Sequence, residues 1–313
     1  MKKLTRSEVA QILQAHDRYA IVTHRRPDGD TVGSSALLCR GLRQLGKKAH
    51  VLNNPEITPK YTHLHEGLTK AAVETGDFVV AVDVASDRVL PDCFKDLSFD
   101  LRIDHHGSAT SFTPVELVEP EAAACGEIIY WVLMEMGAEL DVPMANALYT
   151  AVSTDTGCFR YANTTADTFA VASACAKAGA EVFQINQTLF ETNSLARLQV
   201  QSWMLQNAHF LQGGKVAICP LPKAIEKQFG AGEDDLDNIS GFPRTIEGVK
   251  IAATIREEGE GRVKMSVRAV PGQDAAAICA KFGGGGHKGA AGASMNMTLD
   301  EAVEAVKAAM PEI

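Results

Sequence analysis

Tyr19-Ala-Ile-Val-Thr23, followed at once by His24, Asp28 and Asp30, is the stretch on which the fold turns. A short apolar run rich in β-formers that breaks into polar, glycine-flanked residues predicts a buried strand leaving one edge of a sheet. The pattern repeats outward from it. A helical pattern over 32–45 leads to Ala49-His-Val-Leu52, then to Phe78-Val-Val-Ala-Val82 and Phe99-Asp-Leu-Arg-Ile103, with amphipathic patterns over 122–136 and 144–153. Strands alternating with helices predict an α/β unit on a mostly parallel sheet, covered on both faces.

Further along, residues 165–210 read as helical, including Ser194 to Phe210, and end at Gly213-Gly214, a helix stop. Lys215-Val-Ala-Ile-Cys219, Val249-Lys-Ile-Ala-Ala-Thr-Ile255 and Arg262-Val-Lys-Met-Ser-Val-Arg268 read as strands, with helices over 274–281 and 299–309. The expected organisation is therefore a first domain over 1–190, a helical linker over 191–214 and a smaller α+β domain over 215–313. The polar stretch 229–248, with Glu233-Asp234-Asp235 and Asp237, reads as a solvated helix start, because acids favour the first turn.

Composition narrows the function. The 313 residues are 46% hydrophobic and carry a formal charge of −9, which fits a globular protein and has the wrong sign for one that coats long nucleic acid. Any polyanionic partner must be short or locally held. Seven cysteines without a C-x-x-C pair suggest neither a zinc knuckle nor a disulfide framework, so a reducing cytoplasm is expected. The first residues lack a secretory apolar core and no run approaches 18 apolar residues, so no membrane segment is expected.

Position carries the chemistry. His24, Asp28 and Asp30 follow the first run, Asp83 follows Phe78 to Val82, and Asp104-His105-His106 follow Ile103. In open α/β sheets ligands bind beyond the carboxyl ends of the strands, so these groups should converge. Ser153-Thr-Asp155-Thr-Gly157 adds a further acid after a helical run. So many carboxylates in one crevice require a cation. Oxygen and imidazole without thiolate suit magnesium, manganese, iron(II) or zinc, and the excess of carboxylate leans toward manganese or magnesium. Two ions about 3.5–4 Å apart would use all the ligands and activate water for in-line attack on phosphorus. Asp83, alone on the middle strand, is the natural bridge. His16, His50, His63, His65 and His209 lack such a setting and read as surface or core residues.

Thr23-His-Arg-Arg-Pro-Asp-Gly-Asp-Thr-Val-Gly-Ser34, Ala81-Val-Asp83, Asp104-His-His-Gly-Ser108 and Ser153 to Gly157 resemble the four motifs of the DHH phosphoesterase superfamily. Lys281-Phe-Gly-Gly-Gly-Gly-His-Lys-Gly-Ala-Ala-Gly292 resembles the glycine-rich motif of the associated DHHA1 domain. The similarity points to the bacterial nanoRNase and pAp phosphatase branch and spans about residues 7 to 310. It implies that His24 and Asp28 ligate one metal, that Asp30, His105 and Asp155 ligate the other, and that Asp83 serves both. It further implies that His106 faces the phosphate, with Asp104 orienting its neighbour.

The resemblance implies substrate contacts from Arg160 and Arg268, and the loop Gly284, Gly285, Gly286, His287 and Lys288 reads as a further one, where glycines admit an anion close to backbone N–H groups. The expectation is a cytoplasmic two-metal enzyme, using manganese or magnesium, that releases 5′-mononucleotides from very short RNAs and converts 3′-phosphoadenosine 5′-phosphate (pAp) to AMP. Its partners would be those substrates rather than long nucleic acid or membrane, with homodimerisation through the first domain a family-level expectation. The alternatives are a phosphodiesterase of the linear dinucleotides pApA and pGpG, and a nucleotide-sensing module without catalysis.

Overall fold

A computed structural model describes residues 2–107 and 110–313; Ser108, at the end of the third motif, lies outside the described residues. The chain divides into two compact units, Met1–Thr192 and Asn193–Ile313.

In chain order the first unit contains β1 (Lys2–Lys3), α1 (Arg6–Ala15), β2 (Arg18–Val22), α2 (Gly29–Gln44), β3 (Lys48–Leu52), β4 (Thr69–Lys70) and β5 (Phe78–Val82). There follow β6 (Leu101–Asp104), β7 (Val115–Val118), α3 (Cys125–Glu135), α4 (Val142–Asp155), α5 (Ala166–Lys177) and α6 (Val182–Asn186). All its strands are parallel, in the order β1-β7-β6-β5-β2-β3-β4. Alternation along each strand sorts the side chains between two faces. Tyr19 and Ile21 of β2 and Val80 and Val82 of β5 enter the main core with α1 to α4. Ala20, Val22, Val79 and Ala81 face a smaller cluster with Leu90 and Phe94. That second face is covered by short 3-10 turns at Asp87–Val89 and Asp92–Phe94 where alternation had suggested helices.

The topology fixes where a site can form. Chain order runs outward through β6 and β7 on one side of β5 and through β3 and β4 on the other side of β2, so the direction reverses between β5 and β2. A crevice opens at the carboxyl ends of such a strand pair. Two glycines bring α2 to this place. A Cβ on Gly33 would lie 2.4 Å from the Ala147 carbonyl oxygen of α4, and one on Gly29 would lie 2.4 Å from Thr154 Oγ1. Only glycine lets the start of α2 meet the end of α4 so closely.

The second unit contains α7 (Leu195–Gln206), β8 (His209–Leu211), β9 (Val216–Leu221), α8 (Lys223–Phe229), α9 (Glu233–Leu236), β10 (Ile251–Gly259), β11 (Arg262–Ala269), α10 (Ala275–Ala280), β12 (Gly285–Gly286), β13 (Ala290–Met295) and α11 (Leu299–Ala309). Its sheet has the order β12-β13-β11-β10-β9-β8, and only the β9/β10 pair is parallel. The helix expected as a linker is α7, and its Val200 and Met204 pack with Cys219, Leu221, Leu236 and Ile239 inside this unit. Full burial of such side chains stabilises by roughly 1.5–3 kcal/mol each, which binds α7 to its own sheet. In the acidic stretch Asp235 accepts from Ser194 at 2.5 Å, while Glu233 and Glu226 pair with Arg256. Among the described residues no helix is long and apolar enough to cross a membrane.

Candidate metal centre

Three adjacent strands and two helices deliver the acidic and imidazole groups to one place. His24 and Asp28 follow β2, Asp30 lies in the first turn of α2, Asp83 follows β5, His105 and His106 follow β6, and Asp155 ends α4. His24, Asp28 and Asp83 form one group whose ligand-type atoms all lie within 4.8 Å of one another, and Asp30, His105 and Asp155 form a second. Asp83 joins the two, since His105 Nε2 lies 3.6 Å from its Oδ1 and His24 Nε2 lies 3.7 Å from its Oδ2.

The backbone presents these side chains for reasons that can be traced. Asp28 caps α2 and accepts from the amides of Asp30 and Thr31. Asp30 is gripped by Ser34 Oγ at 2.7 Å and by the amides of Cys125 at 2.7 Å and Gly126 at 3.1 Å, so the amino end of α3 holds its charge. Asp83 sits at φ 58°, a left-handed conformation that costs a non-glycine residue energy and recurs at functional turns. Its own amide is tied to the Ile103 carbonyl at 2.9 Å.

Both histidines have their outer nitrogen engaged. His24 Nδ1 lies 2.7 Å from the Arg25 carbonyl oxygen and His105 Nδ1 lies 3.2 Å from that of Ala122. A carbonyl only accepts, so each Nδ1 carries a proton and each Nε2 faces the carboxylates, with a lone pair to offer once the ring is neutral. His106 differs. It too groups with Asp83 and His105, but its Nδ1, 3.5 Å from Asp83 Oδ1, donates to Asp104 Oδ1 at 2.8 Å and so has no lone pair to offer. Its Nε2 is left for another partner. Asp104 itself receives the amides of His105 and His106.

Electrostatics mark the cluster as one that is short of positive charge. Burial, reinforced by neighbouring carboxylates and opposed by His105, pushes Asp30, Asp83 and Asp155 above the usual carboxylate range. Burial disfavours the charged rings of His24 and His105, yet the surrounding aspartates outweigh it and lift each to about 9. Asp83 is 2% exposed, and its buried Oδ1 has no hydrogen-bond partner among the described residues. A buried acceptor left unpaired is costly, and a divalent cation is the partner this donor set fits.

Of the substrate residues expected from sequence, Arg160 belongs to the first unit and Arg268 and the loop over 284–288 to the second. Arg160 is exposed and its Nε donates to the Gly157 carbonyl at 2.5 Å. Arg268 lies on β11 in register with Ala290, close to the glycine-rich turn. Gly284 is needed for packing, since a Cβ there would lie 2.2 Å from the Gly292 carbonyl oxygen. Gly285 and Gly286 form β12 against β13, and the His287 amide donates to the Ala290 carbonyl. Part of the turn's N–H inventory is therefore spent internally, while the side chains of His287 and Lys288 are exposed.

Two residues escape the sequence reading. Asn54, 3% exposed, donates to Thr23 Oγ1 at 2.9 Å and to the His24 carbonyl at 2.8 Å, fixing the turn that carries His24. Arg102, 1% exposed, donates to the Ala85 and Thr110 carbonyls and to Glu116, with Asp104 Oδ2 3.9 Å away. An arginine inside the apolar run 99–103 was the available signal for the second.

A model of the DHH family N-terminal domain matches residues 18–152, and a model of the DHHA1 domain matches residues 213–312. The chain is 34% identical, over 97% of its length and 93% of the relative's, to the "Bifunctional oligoribonuclease and PAP phosphatase NrnA" of Thermus thermophilus. It is 24% identical to the protein of the same name from Bacillus subtilis, over 95% of each chain. An exopolyphosphatase-related protein from Bacteroides fragilis shares the fold with a TM-score of 0.85 at 24% identity, covering 97% of this chain and 94% of that one. The chain belongs to the DHH family and carries a DHHA1 domain in its C-terminal third.

Proposed function

We propose that the protein is a metal-dependent phosphoesterase that removes 5′-mononucleotides from very short RNAs and converts pAp to AMP. The observation that carries this reading is the pair of ligand groups meeting at Asp83, whose buried Oδ1 lacks a hydrogen-bond partner among the described residues. Full-length likeness to two proteins named NrnA supplies the substrate class.

In this reading His24, Asp28 and Asp83 would hold one divalent ion and Asp30, His105 and Asp155 would hold a second with help from Asp83, with manganese favoured over magnesium. Such ions supply positive charge to the scissile phosphate and acidify the attacking water. The chain's own residues do the rest. The carbonyls of Arg25 and Ala122 keep the Nε2 atoms of His24 and His105 aimed inward, and the amino end of α3 keeps Asp30 in place. His106, held through Nδ1 by Asp104, offers Nε2 to a phosphate oxygen and can pass a proton to the leaving group there. Arg160, Arg268, His287 and Lys288, with the backbone of Gly284, Gly285 and Gly286, are proposed to contact the remainder of the substrate. Few phosphates are then gripped at once, consistent with a net charge of −9. A reducing cytoplasm fits the seven cysteines, all of them free.

The test is turnover of pAp and of RNA dimers with added manganese. Release of phosphate from pAp and of mononucleotide from the dimers is expected. Release of neither would reject the assignment.

A further inference from the structure

The edge of the first sheet opposite the metal centre carries a second concentration of charge. All strands of that sheet run parallel, so the amino ends of β2 and β3 lie one strand length, about 17 Å at ~3.3 Å per residue, from the ends that lead into the ligand turns. A cavity of about 230 Å³ opens there, lined by the cations Arg18, Arg43, Lys47, Lys48 and Lys70 together with His50. Glu74 and Asp77 are its acids.

The acids are already committed. Arg18 pairs with Glu74 at 2.6 Å and Asp77 at 3.3 Å, and Lys70 pairs with Glu74 at 2.7 Å. Arg43 is fixed by carbonyls, donating to Ala49 at 2.7 Å and Gly67 at 2.9 Å, which orients its charge without neutralising it. Lys47 is likewise held by the carbonyls of Gln14 and His16, with Asp17 at 3.4 Å. Among the described residues no carboxylate pairs with Arg43 or Lys48. His50 is 2% exposed and its Nε2 has no hydrogen-bond partner among the described residues; Asp77 Oδ2 is 3.7 Å away. His50 thus sets an unpaired ring nitrogen beside cations that no described carboxylate neutralises.

We propose that this cavity is an anion site for a phosphate group, separate from the metal centre. Cations converging from β2, β3 and the end of α2, with an imidazole at the floor, suit a compact oxyanion with several acceptor atoms. The volume is below the ~300 Å³ at which sites for drug-sized ligands begin, so the bound moiety is of phosphate or diphosphate size, free or as the end of a nucleotide.

The full chain is stripped of metal with EDTA and titrated with inorganic phosphate, pyrophosphate and AMP, while the histidine ring resonances are followed by NMR. The His50 signals are identified by their loss in His50→Gln. They are expected to shift saturably with at least one of these ligands, and the ligand that binds most tightly identifies whether the nucleoside takes part. Lys48→Glu, at an exposed residue with no partner to lose, is expected to weaken that binding about tenfold or more, as is Arg43→Gln. The same affinity in Lys48→Glu, or no saturable change at His50 with any of the three, would overturn the site. Because metal is absent and catalysis is not read, failure here leaves the proposed hydrolysis untouched.

Discussion

Arg102 donates to a Glu116 carboxylate oxygen at 2.6 Å, with the two side chains only 1% and 4% exposed. The same guanidinium reaches the carbonyls of Ala85 and Thr110, so one buried cation ties the turn after Asp83 to the strand that leads into Asp104. Removing one partner of a sealed ion pair strands the other. Arg102→Met is therefore expected to destabilise the fold by about 3–5 kcal/mol in urea unfolding, with much of the loss recovered in Arg102→Met/Glu116→Leu. A loss under about 1 kcal/mol in the single variant would show that the pair does not bear on the fold.

Gly33 faces the Ala147 carbonyl oxygen, which a Cβ would approach to 2.4 Å. That atom is backbone and cannot swing aside. Gly33→Ala should push α2 from α4, costing about 1–3 kcal/mol of stability and separating Asp30 from Asp155. Calorimetric titration with manganese should then show weakened binding, whereas unchanged affinity would mean that the helix contact does not set the ligand spacing.

Asp104 holds His106 through Nδ1, and the proposed function gives the ring a proton-transfer role. In His106→Ala, kcat on pAp should fall by ~10²–10⁴ while manganese affinity stays within a few-fold of the parent. A matching collapse in manganese affinity would make His106 a ligand.

The metal-free protein should lose stability as pH rises. His24 and His105 are lifted from about 6.5 to about 9, so their contribution is complete below pH 6.5 and is lost as pH climbs through 9. Asp30, Asp83 and Asp155, raised chiefly by burial, act in the same direction, losing their contribution as pH climbs above the usual carboxylate range. Asp28, held near 2 because His24 outweighs its burial, acts in the opposite direction, but only below pH 4. The melting temperature of EDTA-treated protein should thus drop between pH 6.5 and 9, and manganese should flatten the drop. A melting temperature that rises over this window would contradict the electrostatic picture.

Much of this was legible in the sequence because the parallel strands are near-continuous apolar runs and their ends carry the acids. What stayed hidden had specific causes. β7 was missed because Glu116, which gives Val115-Glu-Leu-Val118 a polar reading, is buried against Arg102, a pairing that no local pattern reveals. β13 is alanine and glycine over most of its length, so it carries little strand propensity, and its place is set by pairing with β11. On α7 the exposed Leu195, Leu198 and Leu205 blur the stripe that Val200 and Met204 bury. The ligands were visible as residues and strand ends, while the carbonyls that orient His24 and His105 belong to irregular backbone, whose course the sequence pattern leaves open.

Crystals soaked in manganese and measured at its absorption edge address the centre directly. Two anomalous peaks are expected in each chain, one among His24, Asp28 and Asp83 and the other among Asp30, His105, Asp155 and Asp83. Well-diffracting soaked crystals with no peak within bonding distance of Asp83 would contradict the account.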